Sequence, residues 1–208
     1  MDFKIIRLVL GAYQTNCYII YNNDLNAVII DPGAEADKIF KVIDEYNLKV
    51  DKIILTHAHP DHFGAIEEVR NKYNIKVYMC DKDRDMLENR SKELSSMLGI
   101  DSSGIKADIF LKEDDEIEFF DKKFKVIETP GHTPGGMCLL IDKVLIAGDT
   151  LFKGSIGRTD LPGGDFDVIM KSLEKLMKLD DDILVLPGHG PETTIEYERN
   201  FNPFINRL

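Results

Sequence analysis

The 208-residue chain reads as an α/β protein in which two sheets pack face to face with helices outside, a four-layer arrangement. Two observations predict it. Short β-branched apolar runs alternate with amphipathic helical stretches along the whole chain. The strands also fall into two groups, and strand after strand ends in a polar residue of catalytic type before the chain turns. No linker, repeat or low-complexity tract divides residues 1–208, and this length allows one domain with a sizeable core.

In the first half, strands are predicted over Phe3 to Leu10, Asn16 to Tyr21 and Ala27 to Ile30, with a turn cluster at Asn22-Asn23-Asp24. The third strand ends in Asp31-Pro32-Gly33. A helix follows from about Glu35 to Tyr46, with Ile39, Val42, Ile43 and Tyr46 on one face. Asp51 to Leu55 reads as a buried strand. Phe63, Ile66 and Val69, with Tyr73 after them, mark a helix over Phe63 to Tyr73, opened by Asp61 and His62. Lys76 to Met79 is a short strand. Asp81 to Leu98 is polar and helical, two short helices whose apolar residues (Met86, Leu87, Leu94, Met97, Leu98) suit a lid or flanking element as well as a core.

The second half repeats the style. Within Asp108 to Asp121, the acidic turn Glu113-Asp114-Asp115-Glu116 reads as a solvated loop before a strand at Lys125 to Glu128. That strand runs into Thr129-Pro130-Gly131-His132. Met137 to Ile141 and Val144 to Ala147 form a pair joined at Asp142-Lys143, the second ending in Gly148-Asp149-Thr150. A glycine-rich loop covers Gly154 to Gly164. Asp165 begins a helix through about Leu179, Ile183 to Leu186 is a strand ending in Pro187-Gly188-His189-Gly190, and a last helix starts near Glu192.

The chemistry concentrates in Thr56-His57-Ala58-His59-Pro60-Asp61-His62, where a strand gives way to a helix. His57 and His59 are two apart, so in an extended segment they point to one side, while Asp61 and His62 turn another way. One short segment can then offer two ligands to one ion and two to a neighbour. A lone histidine is usually an ordinary residue, but four costly polar groups at a strand end need a common partner. The chain has five histidines; the remaining two, His132 and His189, both follow glycine at strand ends.

The net charge of −11 argues against nucleic acid and anionic membranes as main partners. No apolar run is long enough to span a membrane and the N-terminus lacks a signal-peptide pattern. Cys17, Cys80 and Cys138 are widely spaced and odd in number, which points to a reducing cytoplasm rather than a disulfide framework.

With these residues placed, the chain resembles the metallo-β-lactamase superfamily over essentially its whole length. The resemblance rests on Asp31, His57-x-His59-x-Asp61-His62, His132, Asp149 and His189, in that order. Gly148-Asp149-Thr150-Leu151-Phe152 and Gly157-Arg158-Thr159-Asp160 resemble its glyoxalase II-like branch. The resemblance implies an αβ/βα sandwich with metals at one edge. It implies that His57, His59 and His132 bind the first ion, that Asp61, His62 and His189 bind the second, and that Asp149 bridges both. Asp31 would not be a ligand but would orient the histidine loop. Some β-lactamases of the superfamily carry cysteine where this chain has Asp149; a carboxylate favours a binuclear site.

Imidazole and carboxylate ligands suit two divalent ions, zinc first, with iron or manganese as alternatives. The expected reaction is hydrolysis of a small (hydroxy)acyl thioester by a metal-bound bridging hydroxide, with Asp61 able to accept a proton. Lys153, Arg158 and Phe152 are candidate substrate contacts; Arg158 could equally pair with Asp160 to shape its loop. A mononuclear-iron persulfide dioxygenase, which shares the Gly-Arg-Thr-Asp type of motif, is the alternative. A phosphodiesterase or nuclease is disfavoured by the charge. Only eighteen residues follow Gly190, so the C-terminal helical domain with which glyoxalase II enzymes hold glutathione is expected to be absent, and dependence on glutathione weak.

Overall fold

The computed structural model describes residues 2–89, 95–96 and 104–207; in it the apolar runs assemble into two six-stranded sheets and a two-stranded ribbon. The chain forms two compact units, Met1–Phe110 and Leu111–Leu208.

The first sheet has the order β1 (Phe3–Leu10), β2 (Thr15–Asn22), β3 (Asn26–Ile30), β4 (Lys49–Ile54), β5 (Lys76–Cys80) and β6 (Ile109–Leu111), the last crossing the boundary between the units. β1, β2 and β3 pair antiparallel, whereas β3, β4 and β5 are parallel. Parallel neighbours need crossover connections, which here are helical. Helix α1 (Ala36–Tyr46) joins β3 to β4; α2 (Pro60–Phe63) and α3 (Ile66–Tyr73) join β4 to β5. Ala36, Ile39 and Ile43 of α1 and Ile66 and Val69 of α3 enter one core with Ile19, Ile29 and Ile53 of the sheet. Because β3, β4 and β5 run the same way, their C-terminal ends share one edge of the sheet. That edge receives Asp31, the His57 segment and the turn after Cys80.

The helix predicted over Phe63 to Tyr73 is interrupted. Asp61 and His62 lie in the four-residue α2, and α3 starts only at Ile66. Hydrogen bonding explains the break, since the Ala65 amide donates to the Pro32 carbonyl at 2.9 Å instead of continuing the helix. The turn at Asp31-Pro32-Gly33 lies so close that a Cβ on Gly33 would sit 1.7 Å from the Asp61 carbonyl oxygen. Gly33→Ala must therefore push two backbones apart. We expect it to cost about 2–3 kcal/mol or more, and to move Asp61. A thermal melt and metal titration of the variant check this; an unchanged melting temperature would show that the turn yields freely.

Beyond β5, a 3-10 turn (Asp81–Asp83) and α4 (Arg84–Glu88) supply the first of the two short helices expected before Leu98. Of the second, Ser95 and Ser96 are described and are helical, while Leu94, Met97 and Leu98 lie outside the described residues.

The second sheet has the order β14 (Thr193–Thr194), β13 (Leu184–Pro187), β10 (Val144–Gly148), β9 (Met137–Ile141), β8 (Lys122–Glu128) and β7 (Glu116–Phe119). β10 and β13 are parallel; β7, β8, β9 and β10 are successively antiparallel. So β8, β10 and β13 run in one direction and end on one edge. Helix α5 (Phe166–Leu176) begins at Asp165, whose carboxylate caps it by accepting the Val168 amide, and buries Ile169, Leu173 and Leu176 against Val185 and Leu145. The glycine-rich loop contains a small ribbon, β11 (Leu151–Phe152) with β12 (Ser155–Ile156). The last helix, α6 (Ile195–Phe201), starts three residues later than predicted because Thr193-Thr194 first pair with β13, and Thr194 then caps the helix by accepting the Tyr197 amide.

The acidic turn departs from the expected solvated loop. Glu113 accepts both Lys175 Nζ, at 3.0 Å from each carboxylate oxygen, and the Glu128 amide at 2.6 Å. It ties the end of β8 to α5, and so helps hold the strand that leads to His132. Among the described residues, no helix is long and apolar enough to cross a membrane.

Candidate metal centre

In the first unit, His57, His59 and His62 are buried and Asp61 is nearly so. The rings of His57 and His59 stand edge to face with centroids 4.9 Å apart, and those of His57 and His62 are 4.1 Å apart. Asp61 Oδ2 accepts the Thr15 hydroxyl at 3.0 Å and lies 3.6 Å from His62 Nε2.

Asp31 organises this group. It is buried and held at a left-handed φ of 52°, a conformation that Asp tolerates better than most side chains. Its Oδ1 accepts the Thr56 amide at 2.8 Å, and its Oδ2 accepts the Thr56 hydroxyl at 2.6 Å and His62 Nδ1–H at 2.9 Å. Having given its proton to Asp31, the Thr56 hydroxyl is left to accept from His57 Nδ1–H at 3.1 Å. A carboxylate can only accept, so it dictates the tautomer of both rings. His57 and His62 are protonated at Nδ1 and present Nε2 lone pairs. The three bonds that Asp31 accepts are the contacts through which it meets the histidine segment.

In the second unit, His132 Nδ1–H donates to the Arg158 carbonyl at 2.7 Å, which again leaves the Nε2 lone pair as the ligand-competent atom. Asp149 Oδ2 lies 3.5 Å from His132 Nε2 and 3.4 Å from His189 Nε2. These separations exceed a good hydrogen bond. They match two ligands sharing one tetrahedral ion, which at bond lengths near 2.0–2.1 Å stand about 3.3–3.4 Å apart. Imidazole and carboxylate donors at these spacings fit a divalent ion of the zinc or iron class.

Close backbone packing brings the three residues together. The Gly188 amide donates to the Gly148 carbonyl at 2.7 Å, drawing the His189 turn against Asp149. A Cβ on Gly157 would lie 1.8 Å from the Asp149 carbonyl oxygen, so only glycine lets the loop reach over Asp149 and place the Arg158 carbonyl on His132.

The candidate substrate contacts divide. The Phe152 ring stands against the His189 ring, with centroids 6.1 Å apart. Arg158 makes a two-pronged pair with Asp160 at 2.7 Å, which holds the Asp160 carboxyl down at about 2. Its charge is thus engaged in shaping the loop. Lys153 Nζ rests over the Tyr197 ring, 5.3 Å from its centroid. Cys138 is buried on β9 and burial pushes its thiol up to about 11, so it is no nucleophile.

Several residues that shape the site gave no signal in the sequence. Thr15 and Thr56 carry no motif; Thr15 holds Asp61 through its hydroxyl, and Thr56 links Asp31 to His57. Glu198, fully buried on α6, accepts the Gly154 amide, the Thr193 hydroxyl and the Asn202 side-chain amide, and so clamps the turn between β11 and β12 beside Phe152. Asp83 accepts the Ala58 amide.

The family model of the metallo-β-lactamase superfamily matches residues 10–189. A probable metallo-hydrolase of Bacillus subtilis, YqgX, is 41% identical over 96% of each chain. Hydroxyacylglutathione hydrolase GloC of Haemophilus influenzae is 36% identical over 99% of each chain. Among solved structures, the BLEG-1 B3 metallo-β-lactamase superposes with a TM-score of 0.90 at 40% identity, over 98% of this chain and 99% of that one. TTHA1623 in a di-iron-bound form gives 0.88 at 33%, over 96% and 99%. ETHE1 from Myxococcus xanthus gives 0.81 at 26%, over 96% and 83%. The architecture is thus the metallo-β-lactamase fold, α/β with two main sheets, and the chain belongs to the metallo-β-lactamase superfamily of metal-dependent hydrolases.

Proposed function

We propose that the protein is a binuclear metal-dependent thioester hydrolase of the glyoxalase II-like branch, acting on small (hydroxy)acyl thioesters, and that its two units work as one domain. His57, His59 and His132 would hold one ion, Asp61, His62 and His189 the other, and Asp149 would join them. The observation that carries this reading is the position of Asp149 Oδ2, about equally far from His132 Nε2 and His189 Nε2. In the superfamily pattern those two imidazoles serve different ions.

Bound ions of this kind polarise a carbonyl and lower the pKa of water to roughly 7. The chain's own residues supply the rest. Asp31, through Thr56, keeps the ring lone pairs of His57 and His62 aimed. Asp61, steadied by Thr15, is placed to take a proton. Phe152 beside His189 supplies an apolar wall for an acyl chain. Thiolate is a good leaving group, so no acid is required of the protein on that side. Three buried cysteines outside any disulfide suit the cytoplasm, and the acidic surface suits small-molecule substrates rather than nucleic acid or membranes.

The second reading, a persulfide dioxygenase using one iron, is supported by the likeness to ETHE1 and by the iron bound in TTHA1623. The test pairs metal analysis of the protein from its own source with turnover of a hydroxyacyl thioester, a persulfide and a β-lactam. We expect two metal equivalents and thioester hydrolysis at kcat/KM of about 10⁴ M⁻¹s⁻¹ or more. One equivalent of iron with oxygen uptake on persulfide establishes the second reading instead.

GloC is named for a glutathione thioester and matches at full length, which sets a competing expectation for the thiol carrier. Here Arg158 is engaged by Asp160 and Lys153 rests on Tyr197, so neither is poised to grip a tripeptide. The same acyl group on glutathione, on coenzyme A and on a small thiol should differ by less than a hundredfold in kcat/KM. A glutathione preference of a hundredfold, about 2.7 kcal/mol of transition-state binding, would place a compact carrier site near Phe152 and Arg158.

A further inference from the structure

We propose that Asp83 is a positioning residue of the metal centre, fixing the peptide between His57 and His59 through the Ala58 amide. The inference rests on the metal-binding reading above and extends it to a segment outside the superfamily's ligand pattern.

Asp83 is fully buried, and its Oδ2 accepts Ala58 N–H at 2.9 Å. Ala58 is the single residue between the two imidazoles, and it is itself buried in the core of the first unit. Anchoring its amide sets the plane of the peptide that spaces His57 from His59, and with it the edge-to-face setting of their rings. Sheet order brings Asp83 there. β5 lies parallel beside β4, the Leu55 amide donates to the Tyr78 carbonyl, and the chain leaves β5 on the edge where the histidine segment leaves β4. Asp83 ends the 3-10 turn that runs directly into α4, with a near-helical backbone and no side-chain cap bond. Its carboxylate instead reaches the Ala58 amide, 25 residues upstream. Asp31 holds the Thr56 amide on the other side of His57, so two buried carboxylates grip the segment at alternate amides.

The test is zinc affinity, measured by competition with a chromophoric chelator, together with the visible spectrum of the cobalt-substituted protein and the melting temperature of the metal-free protein. Asp83→Ala should weaken zinc binding about 10–100-fold and alter the cobalt spectrum. Asp83→Asn, which keeps an acceptor of the same size, should bind zinc within about threefold of wild type, on the scale of a single modest hydrogen-bond change. Asp83→Glu keeps the charge but displaces the acceptor by one methylene, and should fall between them with a changed cobalt spectrum; it serves should the Ala variant not fold. A lowered melting temperature with zinc affinity within twofold of wild type in the Ala or Glu variant would overturn the proposal and leave Asp83 a fold residue. An Asn variant as weak as Ala would overturn the hydrogen-bond argument. Wild-type protein that binds no zinc or cobalt marks failure of the metal reading itself, a separate result.

Discussion

Asp149→Ala is expected to strip both ions and to lower kcat/KM by about a thousandfold or more, since Lewis-acid stabilisation is worth several kcal/mol and each 1.4 kcal/mol is tenfold. Its Oδ2 faces His132 Nε2 and His189 Nε2 together, so deleting it removes a ligand from each proposed ion. The fold should survive. The close packing of Gly157 is on the Asp149 carbonyl, not its side chain, and the backbone bond from Gly157 N to the Thr150 carbonyl remains. His189→Ala is the control. His189 is the more exposed of the three residues, and its loss should weaken one ion while the other stays bound. Elemental analysis and isothermal titration of both variants decide the matter. Two tightly held equivalents in Asp149→Ala would refute the bridging assignment.

The second large effect is expected from Asp31→Asn, a change of one atom. Thr56 N–H can only donate, so the amide oxygen must take the place of Oδ1 and the NH₂ must take the place of Oδ2. That NH₂ then faces the Thr56 hydroxyl and His62 Nδ1. His62 must become the acceptor at Nδ1 and carry its proton on Nε2. The Thr56 hydroxyl, now accepting from the amide, turns its proton to His57 Nδ1 and inverts that ring as well. Both ligand lone pairs are blocked, with little change in packing. Metal affinity should fall by about 10–100-fold, while the melting temperature of the metal-free protein stays close to wild type. Ring ¹⁵N chemical shifts of His57 and His62 report the tautomers directly. Unchanged shifts, or unchanged affinity, would reduce Asp31 to a turn residue before Pro32-Gly33.

Much of this was legible in the chain. The histidine cluster, the aspartates after strands and the Gly-His pairs carry metal chemistry in a pattern dense enough to read without coordinates. The α/β class followed from period and length of apolar runs, and β3, β9 and β10 stand within a residue of where β-branched runs place them. What failed did so for tertiary reasons. The predicted helix over Phe63 to Tyr73 was broken by the Pro32 carbonyl, a partner over thirty residues away. Thr193-Thr194 became a strand because β13 offered an edge. Glu113 looked like a solvated acid and proved to be bound by Lys175, 62 positions further on.

The division has one physical cause. Ligand identity is a property of single side chains, and local spacing along a strand end or helix start is a property of neighbours; both are written in sequence. By itself the sequence therefore determined the candidate metal ligands and the fold class. Which strands lie side by side and which way they run depends on long-range pairing that no local pattern records. Only the tertiary structure decided that β8, β10 and β13 deliver His132, Asp149 and His189 to one edge, and that β3, β4 and β5 bring Asp31 and Asp83 to either side of the His57 segment. The same long-range contacts chose the tautomers. An imidazole can donate from either nitrogen, and it was the carboxylate of Asp31 and the carbonyl of Arg158, placed by folding, that turned Nε2 of His57, His62 and His132 into a lone pair.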